Sequence, residues 1–187
     1  NTKNQKQVVI KCYRSQNYFT QSAEREIKIM KALNKLNNDE PLFVPYLGSF
    51  YHHGHLCVVL EKYGQTLYDA LSSRKFSPLN RYAIRSILYK CAKALQTLHH
   101  SGIIHTDLKL ENILLPTNFD PDKDFDILPP TSAYSSCGSG SEDSGFGIDL
   151  SEPRPVKTSI DVRLIDFGSF AKGSQWHRCL ATTREYR

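Results

Sequence analysis

Hydrophobic and polar residues form patterns typical of strands and of helices in the first part of the chain. Residues 7–13, QVVIKCY, are rich in β-branched side chains, which favours a strand. Residues 20–36 carry apolar side chains three or four positions apart, which is the spacing of one face of an α-helix. These apolar residues are Ala23, Ile27, Met30 and Leu33. Residues 43–64 predict two strands joined at 52–55, a hairpin with Gly54 in its turn.

A longer helix is predicted over 79–102, because apolar residues again repeat at helical spacing and Gly102 provides a stop. The repeating residues are Ile84, Ile87, Leu88, Cys91, Leu95 and Leu98. Residues 162–165 form a short apolar run before a glycine turn, which predicts a buried strand. Strands and helices in this mixture place the chain in the α+β class.

The composition changes sharply at Pro116. Residues 117–158 are rich in Asp, Ser, Gly and Pro, as in DPDKDFD and SSCGSGSEDSG, and show little periodicity. Such a segment has too few apolar side chains to offset the entropy of ordering it. We therefore predict a low-complexity, disordered insertion over 117–158.

The bulk composition narrows the class of protein. The 187 residues are 40% hydrophobic and 23% charged, which is enough for a globular core. The net charge is +5, but basic residues are scattered and are not interleaved with aromatic ones on one element, so we expect no direct nucleic-acid binding. Five cysteines without a CxxC pair favour a reducing intracellular compartment, the nucleus and/or the cytoplasm. No apolar run is long enough to span a membrane, and we expect no membrane association.

The stretch IIHTDLKLENILL, residues 103–115, raises the first question of chemistry. It places His105, Asp107, Lys109 and Asn112 at close spacing inside an apolar frame. Such a stretch is either a catalytic loop or a polar turn after a helix. The stretch alone does not separate these interpretations, so the decision depends on distant segments.

Phosphoryl transfer from ATP requires a cation at the phosphates, oxygen ligands for Mg²⁺ and a carboxylate that orients the attacking hydroxyl. VVIK offers Lys11 as the cation, and Glu26 in the following helix could pair with it. HTDLKLEN offers Asp107 as the base and Asn112 as a Mg²⁺ ligand. DFG offers Asp166 as the main Mg²⁺ ligand. Because these pieces occur in the order of the protein-kinase signature, we interpret the stretch as a catalytic loop.

HTDLK, with Thr106 where most kinases have Arg, resembles the LAMMER-type dual-specificity kinases of the CMGC group and the related SR-protein kinases. HHGHLCVVLEKYGQTLYDAL resembles the LAMMER hinge region, and DFGSF and TTREYR resemble that family's DFGSA and STRHYR. The similarity covers residues 8–116 and 159–187. It implies an incomplete bilobal protein-kinase-like fold, with a partial N-lobe at 1–61, the start of the C-lobe at 62–116, and the DFG and activation segment at 159–187.

The resemblance also implies roles for seven further residues around the nucleotide. They are Leu60 as gatekeeper beside the adenine, Glu61 and Tyr63 in hinge backbone hydrogen bonds, Val9 and Leu114 on the two faces of the ring, Asp69 near the ribose, and Lys109 at the transferring phosphate. The implied cofactors are ATP and Mg²⁺. The implied partners are protein substrates, among them Arg/Ser-rich splicing factors, and we expect a monomer.

The sequence departs from the family pattern in several places. Leu110 stands where the family has Pro, and Val9 stands where VAIK has Ala. No Gly-rich loop precedes Lys11, and CGSGSEDSG lacks a third glycine at the required spacing as well as a preceding strand. We therefore expect a fragment that has no kinase activity by itself. The alternative function is a pseudokinase or scaffold, but all five residues of the phosphoryl-transfer set are present, which argues against it.

Overall fold

The first part of the protein folds into an antiparallel sheet. A computed structural model describes three stretches of the chain, residues 7–37, 41–125 and 160–172. The strands are β1 (Val8–Cys12), β2 (Tyr46–His52) and β3 (His55–Glu61), in the order β1-β3-β2. The predicted hairpin is confirmed. Its two-residue turn has His53 at φ 46° and Gly54 at φ 78°, the left-handed backbone that such turns require.

Helix α1 (Asn17–Leu36) packs one face against this sheet. The buried residues are Ala23, Glu26, Ile27, Ile29, Met30 and Leu33, which include all four of the predicted apolar positions. Asn37 ends the helix and accepts hydrogen bonds at its Oδ1 from the N–H groups of Leu42 and Phe43. Burial of Glu26 among apolar residues is costly unless the carboxylate is paired.

Two helices follow, α2 (Leu67–Ser73) and α3 (Arg81–His100), and Gly102 ends α3 at φ 67° as predicted. Two positions of the predicted apolar face of α3 lie at the surface of the described residues, since Ile84 is 42% and Leu88 is 61% exposed. The buried residues are Ala83, Ser86, Ile87, Lys90, Cys91, Ala94 and Leu98. No helix within the described ranges is both long and apolar enough to cross a membrane.

The buried face of α3 includes two polar residues, Ser86 and Lys90, which the apolar pattern did not predict. The hydroxyl of Ser86 accepts a hydrogen bond from the N–H of Ile160 at 2.6 Å. The ammonium of Lys90 lies 3.7 Å from Oδ1 of Asp161. Polar groups tolerate burial when they are paired, and both partners here come from a segment about seventy residues away in sequence.

Two short antiparallel strand pairs hold residues 103–115, the predicted catalytic stretch, against the DFG motif at 166–168. Strands β4 (Ile103–Ile104) and β5 (Ile113–Leu114) flank the catalytic stretch and its 3-10 helix, Leu110–Asn112. Strands β6 (Arg163–Leu164) and β7 (Ala171–Lys172) flank the DFG. Because β4 pairs with β7 and β5 pairs with β6, both ends of one loop are tied to both ends of the other. The strand predicted over 162–165 is confirmed as β6.

The range predicted as a disordered insertion begins with ordered structure. Helix α4 (Pro121–Asp124) lies within it, and Phe125 is fully buried. The side chain of Asn80, which caps α3, donates a hydrogen bond to the carbonyl of Phe125 at 2.5 Å. The prediction is therefore wrong for residues 117–125, because the buried Phe125 and the partly buried Phe119, whose ring centroids lie 4.8 Å apart, anchor them to the core. Residues 126–159 lie outside the described residues.

Candidate active site

A cavity of about 500 Å³ lies between the β1–β3 sheet and the β5–β6 ladder. This volume is typical of small-molecule sites. Nine of the twelve predicted site residues line it: Val9, Lys11, Glu26, Leu60, Glu61, Tyr63, Asn112, Leu114 and Asp166. The other three predicted residues, Asp69, Asp107 and Lys109, are not part of its wall.

Lys11 joins β1, α1 and the DFG. Its Nζ donates to both carboxylate oxygens of Glu26, at 2.9 and 3.2 Å, and to Oδ1 of Asp166 at 2.9 Å. The hydroxyl of Tyr13 also donates to Oε2 of Glu26 at 2.5 Å. The predicted Lys11–Glu26 pair is confirmed, and it accounts for the burial of a carboxylate that is only 3% exposed.

Burial by itself lowers the pKa of Lys11, because a low-dielectric environment disfavours the charged form. The carboxylates of Glu26 and Asp166 outweigh this effect and hold the pKa well above its ordinary value. Burial, reinforced by Glu26, also raises the pKa of Tyr13 above its usual range, so the phenol stays protonated and can donate. Lys11 is therefore a permanent cation at the cavity wall.

The catalytic stretch holds Asp107 by several contacts. The ammonium of Lys109 lies 3.0 Å from Oδ2 of Asp107. The side-chain amide of Asn112 donates to the carbonyl oxygen of Asp107 at 2.8 Å and to its Oδ2 at 3.3 Å. The hydrogen bond to Asp107 raises the pKa of Lys109, so this side chain also remains cationic. Asp107 is thus a carboxylate with a fixed orientation next to a cation.

His105 connects the catalytic stretch to the DFG. The ring is 1% exposed, its Nε2 lies 3.0 Å from the carbonyl oxygen of Ile165, and its Nδ1 accepts from the N–H of Asp107 at 3.3 Å. The residues that directly follow His105 and Ile165 have left-handed backbone: Thr106 has φ 66° and Asp166 has φ 65°. Such a conformation costs about 1–3 kcal/mol for a non-glycine residue and persists only where its surroundings impose it. The His105–Ile165 bond clamps both turns.

Acidification should destabilise the protein through His105. Burial lowers the pKa of its imidazole, although the Ile165 carbonyl and the carboxylates of Asp166 and Asp107 favour the charged form. A lowered folded-state pKa means that the unfolded chain binds the proton first. This contribution to stability is present above about pH 6.5, the unfolded pKa, and is lost as the pH falls toward the folded one.

Urea unfolding of the full-length protein at several pH values between 7.5 and 5 tests this expectation. The variant His105→Phe should unfold more easily at neutral pH but lose less stability on acidification than the wild type. The exposed His100 provides the matched control, and His100→Phe should keep the wild-type dependence. Parallel pH curves for His105→Phe and the wild type would contradict the assignment.

Thr106 takes part in the same junction. Its hydroxyl donates to the carbonyl oxygen of Ser169, directly after the DFG, at 2.5 Å. This neutral side chain stands where most kinases have Arg, so the position lacks the charge needed for a bidentate pair with a phosphate. Residues 173–187 of the predicted activation segment lie outside the described residues.

The residues present fit a Mg²⁺ ion. The side-chain nitrogen of Asn112 donates a hydrogen bond to Asp107. The Oδ1 of Asn112 is therefore the atom that can face a cation. Asp166 adds a carboxylate, and hard oxygen donors of this kind suit Mg²⁺. Among the described residues no three His, Cys, Asp or Glu side chains cluster as a metal site. Mg²⁺ generally binds through one or two carboxylates together with nucleotide phosphates and water.

The end of β3 forms the other wall of the cavity. Leu60, the predicted gatekeeper, pairs directly with Val9 across the sheet, and both line the cavity together with Leu114. The carboxylate of Glu61 lies 3.6 Å from Arg163, whose guanidinium stacks 4.2 Å above the ring of Tyr63. These contacts fix the segment after β3 against β6.

Asp69 lies at the start of α2 and is not part of the cavity wall. Its Oδ2 accepts from the hydroxyl of Thr66 at 2.7 Å, and its own N–H donates to that hydroxyl at 3.0 Å. The two residues form a capping box at the start of α2, which satisfies N–H groups that have no partner within the helix. These contacts hold the carboxylate at the start of α2, and its position near the ribose stays a prediction.

Several lining residues were missed by the sequence analysis. Met30 lies four residues after Glu26 and therefore on the same face of α1, a signal that was available but was assigned to the core alone. Val44 and Leu164 belong to apolar runs that give no hint of a ligand. Gly64 is required by close packing, since a Cβ there would lie 2.3 Å from the carbonyl oxygen of Leu115.

Comparison with known proteins places this geometry in a family. The model of the protein kinase domain family matches residues 1–187. Dual specificity protein kinase CLK4 of Mus musculus is 30% identical over 96% of this chain and 33% of its own length. Dual specificity protein kinase CLK1 of Homo sapiens is 31% identical over the same shares. The chain therefore spans about a third of the length of these curated relatives.

A solved structure supports the same assignment at the level of the fold. A kinase-domain crystal structure matches 98% of this chain and 49% of its own chain, with a TM-score of 0.68 and 28% identity. The predicted α+β kinase fold, present in part, is thus confirmed. The resemblance to CMGC dual-specificity kinases is confirmed by the curated relatives. The chain belongs to the protein kinase family, and its relatives include the CLK dual-specificity kinases.

Proposed function

We propose that the protein containing this chain is an active ATP-dependent kinase that phosphorylates Ser and Thr hydroxyls of proteins. The observation that carries the proposal is the joint placement of Lys11, Glu26 and Asp166 in one hydrogen-bonded cluster at the cavity wall. A protein that does not transfer phosphate would not require a buried Glu26 and a charged Lys11 beside Asp166. The cluster matches the requirements of phosphoryl transfer.

The described residues divide the work of the reaction among them. Lys11 binds nucleotide phosphates and is kept charged and oriented by Glu26. Asp166 and Asn112 would hold Mg²⁺, which would supply charge neutralisation and orientation of the phosphates. Asp107 orients the attacking hydroxyl and accepts its proton, while Lys109 offers positive charge beside it.

The nucleotide base fits the apolar half of the cavity. Val9 and Leu114 lie on its walls from opposite sides, β1 and β5, and would sandwich the adenine ring. Leu60 limits the depth of the site beside the ring. The backbone groups of Glu61 and Tyr63 supply the polar edge of this half. The N–H of Glu61 is not available to the base, because it donates to the carbonyl oxygen of Pro45 at 3.1 Å.

We propose Arg/Ser-rich proteins, splicing factors among them, as the substrates. Two facts support this class: the HTDLK stretch, which resembles that of LAMMER-type and SR-protein kinases, and the similarity to relatives named dual specificity protein kinases. The same names support phosphorylation of Tyr as well as Ser and Thr.

Transfer of labelled phosphate by the full-length protein tests the proposal. We expect incorporation from Mg·ATP into an Arg/Ser-repeat peptide, and at least about tenfold less into the matched peptide with Ala in place of every Arg. Equal use of both peptides would contradict the substrate class but leave the kinase intact. Tight binding of Mg·ATP with no transfer to any peptide, Tyr peptides included, would favour the pseudokinase alternative.

A further inference from the structure

Two cysteines face each other across neighbouring strands. Cys12 ends β1 and is in register with Cys57 of β3, and their sulfur atoms lie 3.4 Å apart. The N–H of Tyr13 donates to the carbonyl of Leu56, so this next pair is a hydrogen-bonded one. Because hydrogen-bonded and non-hydrogen-bonded pairs alternate, Cys12 and Cys57 form a non-hydrogen-bonded pair, in which Cα atoms approach to about 4.5 Å. That separation lies within the range that a disulfide spans.

The two thiols differ in access to solvent. Cys12 is exposed, whereas Cys57 is 2% exposed and its sulfur also lies 3.7 Å from the carbonyl oxygen of His55. Burial raises the pKa of Cys57, which keeps it protonated until a partner reacts. Cys91, the third cysteine of the described residues, is buried in α3, and burial raises its pKa to about 11. Susceptibility to oxidants follows exposure and thiolate character, so Cys12 is the first to react.

We propose that Cys12 and Cys57 form a redox-active pair that closes to a cross-strand disulfide in the presence of a peroxide. The thiolate sulfur of Cys12 attacks a peroxide oxygen, the O–O bond breaks, and hydroxide takes up a proton and leaves as water. Cys12 then carries a sulfenic acid. The sulfur of Cys57 attacks the sulfur of Cys12, the S–O bond breaks, and the hydroxyl departs as a second water with the proton of Cys57. Two thiols lose two electrons, and one hydrogen peroxide becomes two waters.

The position of the pair predicts its effect. Cys12 directly follows Lys11, and neighbouring side chains of a strand point to opposite faces, so the disulfide lies on the face away from the cavity. The link would close a loop between positions 45 residues apart and tie the lysine-bearing strand to the centre of the sheet. Restricting the unfolded chain in this way stabilises the folded one. Oxidation should therefore raise the melting temperature without closing the nucleotide cavity.

Peptide mapping of the full-length protein tests the proposal. The protein is treated with a small molar excess of hydrogen peroxide, remaining thiols are blocked with N-ethylmaleimide, and tryptic peptides are analysed without reduction. Cleavage at Lys11, Arg14, Lys35 and Lys62 isolates Cys12 in peptide 12–14 and Cys57 in peptide 36–62. We expect these two peptides joined as the main oxidised product, Cys91 blocked, and a melting temperature several degrees above that of the reduced protein.

The variants Cys12→Ser and Cys91→Ser form a matched pair. Cys12→Ser should abolish both the joined peptide and the rise in melting temperature, while Cys91→Ser should keep both. A background with Cys137→Ser and Cys179→Ser removes the two cysteines outside the described residues. If wild-type Cys12 ends as sulfinic or sulfonic acid, or pairs with any other cysteine, the proposal is overturned. The mapping uses folded wild-type protein, so it is independent of the stability of the variants and of kinase activity.

Discussion

Replacing Asp107 with Asn should reduce kcat of the full-length protein by about 10²- to 10⁴-fold, the usual contribution of a positioned general base. The amide has the size of the carboxylate but cannot accept the proton of the substrate hydroxyl. It also weakens the 3.0 Å contact with Lys109. ATP binding should stay nearly unchanged, because Asp107 does not line the nucleotide cavity.

Steady-state kinetics and a separate measurement of nucleotide affinity check this expectation. The control is Asp122→Asn, the same chemical change at a carboxylate that is 86% exposed on α4 and 3.9 Å from Arg74. It should keep wild-type kcat. Thermal melting of both variants verifies that they are folded. Turnover of Asp107→Asn within a few fold of the wild type would show that the catalytic stretch is wrongly assigned.

Asp166→Asn should have the second large effect, on the binding of the metal as well as on catalysis. The change removes a negative charge where Mg²⁺ would bind, and Lys11 would keep only one ionic partner, Glu26 at 2.9 Å. A metal ion that polarises phosphate oxygens is worth several kcal/mol in the transition state. We therefore expect kcat/KM to fall by at least about 10²-fold, since each factor of ten is about 1.4 kcal/mol.

Titration of ATP with and without Mg²⁺ separates metal binding from catalysis. The wild type should bind Mg·ATP more tightly than free ATP, and Asp166→Asn should lose most of this difference. Asp122→Asn again serves as the control and should keep the full difference. If Asp166→Asn retains the Mg²⁺ dependence of the wild type, the metal is held by other groups.

Most of the local structure and most of the chemistry could be predicted from the sequence. β-Branched composition and a glycine turn identified β1 and the hairpin, and helical spacing identified both long helices, because one face of each helix must be buried. The order of the motifs led to Lys11, Asp107, Asn112 and Asp166, because phosphoryl transfer requires few residue types and a fixed set of them. The resemblance to CMGC kinases added the residues beside the adenine, and Leu60, Val9 and Leu114 line the cavity.

The sequence missed contacts that depend on neighbours far along the chain. The pattern of α3 did not show that Ser86 and Lys90 are buried, because their partners come from residues 160 and 161. The family position of Asp69 did not show that its carboxylate forms a capping box with Thr66 at the start of α2. Two aromatic side chains, Phe119 and Phe125, extend order into a segment of disordered composition.

The sequence by itself determined the main strands and helices, the candidate site residues and the family, because periodicity and the order of motifs along the chain can be read without knowing the fold. Only the tertiary structure decided which groups meet. Lys11 and Asp166 are 155 positions apart yet lie 2.9 Å from each other, and Cys12 reaches Cys57 only through the pairing of β1 with β3. Such contacts follow from burial and strand register over the whole chain, which no local pattern contains.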